Sequence, residues 1–238
     1  MKKGILAIIS ICICAGIVIF CGKKIHDNSP VEFADENMAL VLCEALSGDK
    51  TPETVTYKDL QQIRTLHIGF SGYYETIMDL QYCTNLQELS INVLFDETTS
   101  PAFIINEGKL DEPLTKEENL QLQQEMGELL PKLKNLRTLV ISRQGGCTWS
   151  SIEFMKDCTQ IEEVYMSFCE ATDYSVLKTC TSLKRINLYA CQITMADDLL
   201  GFETPSGIDI RKTPLESNPE EVKKLEEAYP DAYITTSY

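Results

Sequence analysis

The sequence predicts an α/β solenoid: a parallel sheet on one face, helical caps at both ends, and one transmembrane helix ahead of the first cap. Three observations predict it: a five-point apolar pattern that recurs six times, helix-like segments flanking the recurrences, and a charge-free apolar run near the N-terminus. The 238 residues allow one or two domains with a sizeable core, and 44% apolar against 24% charged residues excludes wholesale disorder. With 36 acidic and 21 basic side chains the net charge is −15. That balance excludes a general nucleic-acid binder, whose affinity rests on Lys and Arg neutralising phosphates.

From Gly4 to Gly22 the chain carries no charged residue. Nineteen residues of helix span about 29 Å, close to the hydrocarbon thickness of a bilayer. A cleavable signal peptide has a shorter apolar core, about 7–15 residues, and a small-x-small site beyond it. No such site follows the run, and Cys12, Cys14 and Cys21 come after Ile11, Ile13 and Phe20, a poor fit to lipid attachment. Residues 1–24 are therefore read as an uncleaved signal anchor, with a cleaved leader as the alternative. Lys2 and Lys3 before the run are matched by Lys23 and Lys24 after it, so the positive-inside rule is nearly balanced. The layout of an export signal favours a single-pass protein of the cell membrane with its domain outside the cytoplasm. Without residues 1–24 the body carries 17 basic and 36 acidic groups, or −19, and should repel anionic surfaces.

The pattern places apolar residues at positions 0, 3, 6, 9 and 11. It reads Leu80, Cys83, Leu86, Leu89, Ile91; then Leu130, Leu133, Leu136, Leu139, Ile141; then Met155, Cys158, Ile161, Val164, Met166; then Leu177, Cys180, Leu183, Ile186, Leu188. Weaker copies stand at either end, Tyr57 to Ile68 and Leu199 to Ile210. The third member falls at 63, 86, 136, 161, 183 and 205. The last two members, two apart, suit one face of a short strand, and the steps of three suit a turn with its apolar side inward. One such unit cannot bury its apolar row alone, so neighbours stack into a solenoid.

Leu183-x-x-Ile186-x-Leu188-x-x-Cys191-x-Ile193 fits the motif L-x-x-L-x-L-x-x-N/C-x-L at every fixed position, and Ile161 to Ala171 fits with a small final residue. On these residues the chain resembles the leucine-rich repeat family over about 57–211. The resemblance implies a horseshoe with the sheet on its concave face, and that face as the usual partner surface. Val31 to Met38, the apolar stretch to Leu46, and Val55-Thr56-Tyr57-Lys58-Asp59-Leu60 resemble the N-terminal cap of bacterial internalin-like proteins. The expected organisation is 25–56 linker and helical cap, 57–211 about six repeats with an insertion at 95–130, and 212–238 a C-terminal cap.

In the first cap Ala39, Leu40, Leu42, Cys43 and Leu46 are expected to cover the first repeat. In the second, Pro219 opens a helix running to Tyr229, Pro230 ends it, and Asp231 to Ile234 add a last strand. Within the insertion, 95–114 holds Pro101, Gly108 and Pro113 and reads as an irregular excursion. Residues 115–129 read as a helix, opened by a capping box of Thr115 and Glu118. Leu120, Met126, Leu129 and Leu130 are expected to face the core.

Little in the sequence supports catalysis. The two histidines are His26, beside the apolar run, and His67, on the outward side of the first strand. A hydrolase centred on His67 is the distant alternative; there is no zinc-protease, phosphate-loop, dinucleotide or calcium-loop motif. No cofactor or metal is expected. Three of the ten cysteines lie in the leader and seven in the body, an odd number that excludes complete internal pairing. Cys83, Cys158 and Cys180 share one pattern position and read as buried thiols. Cys169 and Cys191, one coil apart, read as buried thiols too, with a disulfide between them as the alternative.

The outward strand positions remain as candidates: Thr65 and His67; Glu88, Ser90 and Asn92; Thr138, Val140 and Ser142; Glu163, Tyr165 and Ser167; Arg185, Asn187 and Tyr189; Asp209 and Arg211. Of these His67, Asn92, Tyr165, Arg185, Asn187, Tyr189, Asp209 and Arg211 are the candidate partner-binding set, because Tyr and Arg dominate interface hot spots. The expected function is a membrane-anchored, non-enzymatic module, monomeric outside the cell, that binds a protein or glycan. A cytoplasm-facing membrane scaffold is the alternative.

Overall fold

The computed structural model describes residues 27–46, 50–69, 71–91, 114–143 and 147–237. The apolar run at 4–22, Asn92 and the excursion up to residue 113 lie outside the described residues. Among the described residues no helix is long and apolar enough to cross a membrane.

Seven strands form one parallel sheet in chain order: β1 (Thr65–Ile68), β2 (Glu88–Ile91), β3 (Thr138–Ser142), β4 (Glu163–Ser167), β5 (Arg185–Asn187), β6 (Gly207–Asp209) and β7 (Tyr233–Thr235). β1 to β6 each come from one pass of the apolar pattern, and β7 is the extra strand expected of the C-terminal segment. The pattern members Leu66, Leu89, Leu139, Val164, Ile186 and Ile208 lie in register from strand to strand and are buried. Burying a side chain of this size contributes about 1.5–3 kcal/mol, and stacking supplies what one coil lacks. β2 pairs directly with β3, so no strand from the 50-residue interval between their pattern members lies between them in the sheet.

The steps of three become 3-10 turns on the side opposite the sheet, such as Met78–Tyr82, Ser175–Thr179 and Ala196–Leu199. Side-chain amides bind successive coils there. Asn85 Nδ2 donates to the Gln61 carbonyl and Asn135 Nδ2 to that of Thr84, each at 2.9 Å, and Gln160 Nε2 donates to Leu130 at 2.9 Å. These residues stand one before the third pattern member, so the repeat encodes its own coil-to-coil hydrogen bond.

The caps follow their local chemistry. Helix α1 (Glu36–Ala45) opens on Asp35, whose carboxylate accepts from Met38 N. Its buried face is Met38, Ala39, Val41, Leu42 and Cys43; Leu40, expected on that face, is exposed. Asp79 of the second coil reaches back and accepts from Ala34 N and Asp35 N at 3.0 Å, while Asp35 accepts from Glu75 N. Both carboxylates are buried, so the cap is held to the coil by charge-assisted bonds. The short turn α2 (Tyr57–Leu60) has a full capping box between Thr56 and Asp59.

Helix α3 (Lys116–Leu129) starts at Thr115 with the expected Thr115–Glu118 capping box. Asn119, Leu122, Met126 and Leu129 face inward, whereas Leu120, placed inward by the sequence, is 66% exposed. The reason is angular: at about 100° per residue Leu120 falls off the 119–122–126–129 stripe. α3 lies among the outer turns, packed on both Met78–Tyr82 and Glu153–Met155. Glu125 accepts from Ile77 N at 2.9 Å on one side, and Asn119 accepts from Thr148 N at 2.7 Å on the other.

At the far end α4 (Pro219–Ala228) is N-capped by Asn218. Glu221 accepts from Ala196 N at 2.7 Å, and the Tyr229 hydroxyl accepts from Phe202 N and donates to Leu199 O.

Candidate functional site

The strand register lays the outward side chains in rows. One row runs Thr65, Glu88, Thr138, Glu163, Arg185, Gly207, Tyr233; the next runs His67, Ser90, Val140, Tyr165, Asn187, Asp209, Thr235. Neighbours in a row are about 4.8 Å apart. Ser90 and Ser142, expected to be available on this face, are buried. Ser142 accepts from the Ser167 hydroxyl at 3.0 Å, and its carbonyl takes the Trp149 indole N–H at 2.7 Å.

Six of the eight predicted partner-binding residues lie side by side over β4–β6 and the turns that follow, in two groups: Tyr165 with Arg185, and Asn187 with Tyr189, Asp209 and Arg211. The Tyr165 hydroxyl donates to Glu163 at 2.7 Å. Arg185 Nη1 reaches that hydroxyl at 3.4 Å and the Glu163 carboxylate at 3.6 Å, both longer than an optimal charged hydrogen bond. Burial and the neighbouring Glu163 raise the Tyr165 pKa, and the bonds to Tyr165 and Glu163 raise that of Arg185, so both keep their protons. Asn187 Nδ2 donates to Asp209 at 3.0 Å, and its carbonyl oxygen accepts from Tyr189 N at 3.1 Å. Arg211 grips both Asp209 oxygens, Nε at 3.0 and 3.1 Å and Nη2 at 2.6 Å, which raises the Arg211 pKa.

Beyond the strand ends the patch continues as an aromatic and cationic rim. The Tyr189 ring lies edge-on to Phe168 at 5.7 Å between centroids, with Lys212 Nζ 4.9 Å and the Arg211 guanidinium 5.7 Å from its centre. Phe168, Ala190 and Lys212 stand 22 residues apart and have φ of 58°, 55° and 59°. The turns leaving β4, β5 and β6 thus share a left-handed residue, and a bulky Phe there is strained.

His67 lies apart from this patch, three strands or about 14 Å from the β4 column. It is exposed on β1, and its partner in register is the buried Ser90. Asn92 lies outside the described residues. The sequence reading missed Gly207 and Tyr233, which occupy the Arg185 row, and Phe168 and Lys212 at the rim. For Gly207 a signal existed, because it stands 22 residues after Arg185 at the same pattern position.

The disulfide between Cys169 and Cys191 is not formed. Both are buried free thiols, and Cys191 Sγ donates to the carbonyl of Met166 at 3.5 Å. The hydrogen bond between the two thiols, together with burial, pushes the Cys169 pKa well up. Cys147, outside the motif spacing of its coil, is buried and close enough to Cys169 to influence it. Among the described residues no group of His, Cys, Asp and Glu is arranged to hold a metal ion.

No protein-family model and no curated protein matches the chain. Among solved structures the chain is similar to an internalin, inlF, of Listeria monocytogenes str. 4b F2365, at 16% identity and a TM-score of 0.53. That match covers 86% of this chain and 56% of the internalin, so the chain spans little more than half its length. Internalin C2 of the same strain matches at 15% identity with a TM-score of 0.49, over 88% of this chain and 96% of the other. The inlF likeness and the seven-stranded parallel sheet establish a leucine-rich repeat solenoid of the internalin kind as the fold.

Proposed function

We propose that this chain is a membrane-anchored module that binds a protein partner on the concave face of its sheet, without a catalytic step. The observation that carries the reading is the patch of Tyr165, Arg185, Asn187, Asp209 and Arg211 on neighbouring strands and the turn that follows. Asn187, Asp209 and Arg211 are held by one another before any partner arrives, so little of their rotamer freedom remains to be lost on binding. Tyr and Arg on a rigid sheet are the groups that anchor interfaces, and seven strands at about 4.8 Å span roughly 30 Å, room for one small protein or a peptide. Internalin-like architecture supports the same reading at the level of the fold. In this proposal residues 4–22 are the anchor and the domain faces out of the cell, where its −19 body stands away from anionic lipid.

Two experiments test it. Photo-crosslinking side chains placed at Val140 and Thr235, on the concave face, should give discrete adducts on intact cells, while the outer positions Lys178 and Glu203 should not. Adducts from the outer positions alone would move the partner surface off the sheet. Protease added to intact and lysed cells tests the topology. Digestion only after lysis would favour the cytoplasm-facing scaffold.

A further inference from the structure

The outward row Thr65, Glu88, Thr138, Glu163, Arg185, Gly207, Tyr233 has a side chain at every described position but one. At Gly207 the row is interrupted, and a cleft of about 230 Å³ opens there, lined by Tyr165, Arg185, Asn187, Asp209, Tyr233 and Thr235 among others. The backbone does not ask for this glycine. Gly207 lies within β6 and outside the left-handed region, and a Cβ added to it would meet nothing closer than the Tyr233 carbonyl at 3.6 Å, an ordinary contact. A glycine inside a strand is destabilising relative to alanine and often marks a close approach by something else. With turn geometry and crowding both excluded, the missing side chain is explained by what enters the space.

We infer that the notch over Gly207 receives an aromatic side chain of the protein partner, held between the Arg185 guanidinium and the Tyr233 ring. This rests on the concave-face reading above and specifies its anchor point. A ring centred over Gly207 lies one strand spacing, about 4.8 Å, from each flanking column. Both side chains line the cleft, so a ring entering it is within reach of each, for cation–π contact at up to ~6 Å with Arg185 and ring pairing at about 4.5–7 Å with Tyr233. Arg185 has a face to offer, since its contacts to Tyr165 and Glu163 are long, and Tyr233 is 75% exposed, with no other ring paired to it among the described residues. The volume suffices, since a cavity of about 150 Å³ can hold benzene. Charge selects against other occupants. An incoming anion would meet Asp209 in the lining and Glu163 behind Arg185, and an incoming cation would meet Arg185 itself, while Asp209 is already gripped by Arg211 and Asn187.

The test is a titration of the full-length chain, solubilised in a mild detergent, with N-acetyl-L-tyrosinamide, followed by amide and Arg Nε–H resonances. Saturable shifts are expected at Ile208, Thr235 and the Arg185 Nε–H, at least threefold tighter than with N-acetyl-L-leucinamide. Gly207→Thr should melt no lower than the parent and lose at least four-fifths of the response. Tyr233→Ala, a truncation at an exposed position, should weaken it at least twofold. Absence of shifts in the parent, equal binding of the leucine probe, or unchanged binding by Gly207→Thr would each overturn the notch. So would a lower melting temperature of Gly207→Thr, since the glycine would then be structural. Loss of the notch with the Val140 cross-links intact leaves the concave-face reading standing; notch binding without any cross-link does the reverse.

Discussion

The bond between the first cap and the first coils can be cut with one substitution, Asp79→Ala. Asp79 is 2% exposed and supplies the acceptor for two backbone donors, Ala34 N and Asp35 N. Its removal orphans both, at about 1–3 kcal/mol each, or about 2–6 kcal/mol together. Against this stands the relief of burying a carboxylate, so the net loss should be about 2–4 kcal/mol. The pH dependence has a definite sign. Burial, reinforced by nearby Asp35, outweighs the two backbone bonds and raises the folded pKa of Asp79 above its unfolded value. A raised folded pKa means that the titratable part of its stabilisation is fully present below the unfolded pKa and is lost as pH rises through the folded one. The cost of Asp79→Ala should therefore be larger in acid, below the ordinary Asp value of about 3.9, than at neutral pH. Urea denaturation of the parent and the variant across pH 3–7 measures this, with amide exchange at Ala34 and Asp35 reporting whether the cap opens first. A cost under about 0.5 kcal/mol, or one that grows with pH, would refute the reasoning.

Three further outcomes are expected. Tyr229→Phe removes the hydroxyl that joins Phe202 N and Leu199 O and should cost about 1–3 kcal/mol in a thermal melt, with the C-terminal amides losing exchange protection first. Leu136→Ala, at a fully buried third pattern position, should cost about 2–5 kcal/mol by leaving a cavity in the stack; a value below 1 would mean that the coils repack freely. Burial pushes the Cys83 and Cys158 thiols up to about 12 and that of Cys180 up to about 11. All three should therefore resist alkylation at pH 8 until the chain is denatured, and rapid labelling of the folded protein would contradict their placement.

What could be read from the chain before its structure is what repeats. A residue type recurring every 22–25 positions specifies a strand, its inward face and its neighbour in register, so seven strands and both caps could be placed. The helix at 115–129 was legible from a local signal, Thr115 with Glu118, which needs no partner elsewhere. The misplaced Leu40 and Leu120 show the opposite case. An apolar residue on a short helix is assigned a side by the packing of that helix, and composition alone does not reveal it. The patch was legible as a set of outward positions, whereas its bonding was not, because Asn187–Asp209 and Arg185–Tyr165 depend on side-chain reach between strands. Gly207 escaped notice because it offers no group to bind with; its meaning comes from the row around it. Cys147 escaped because three extra residues, 144–146, displace it from the motif spacing.

Helix α3 also has a mechanical consequence. Between β1 and β6 the other described stretches fill the outer layer with 3-10 turns, whereas the one before β3 adds a helix about 10 Å in diameter between its neighbours. The strands it belongs with remain about 4.8 Å apart on the inner side. A wide part in the outer layer over a fixed inner spacing should act as a wedge, and a tighter arc is expected at β2–β4. That stretch stands between the His67 column and the Tyr165–Arg211 patch, and a tighter arc there would set how closely the two halves of the face approach a convex body laid across them. Trimming the helix by a turn should relax the arc and mis-space the two halves without altering any side chain on the sheet.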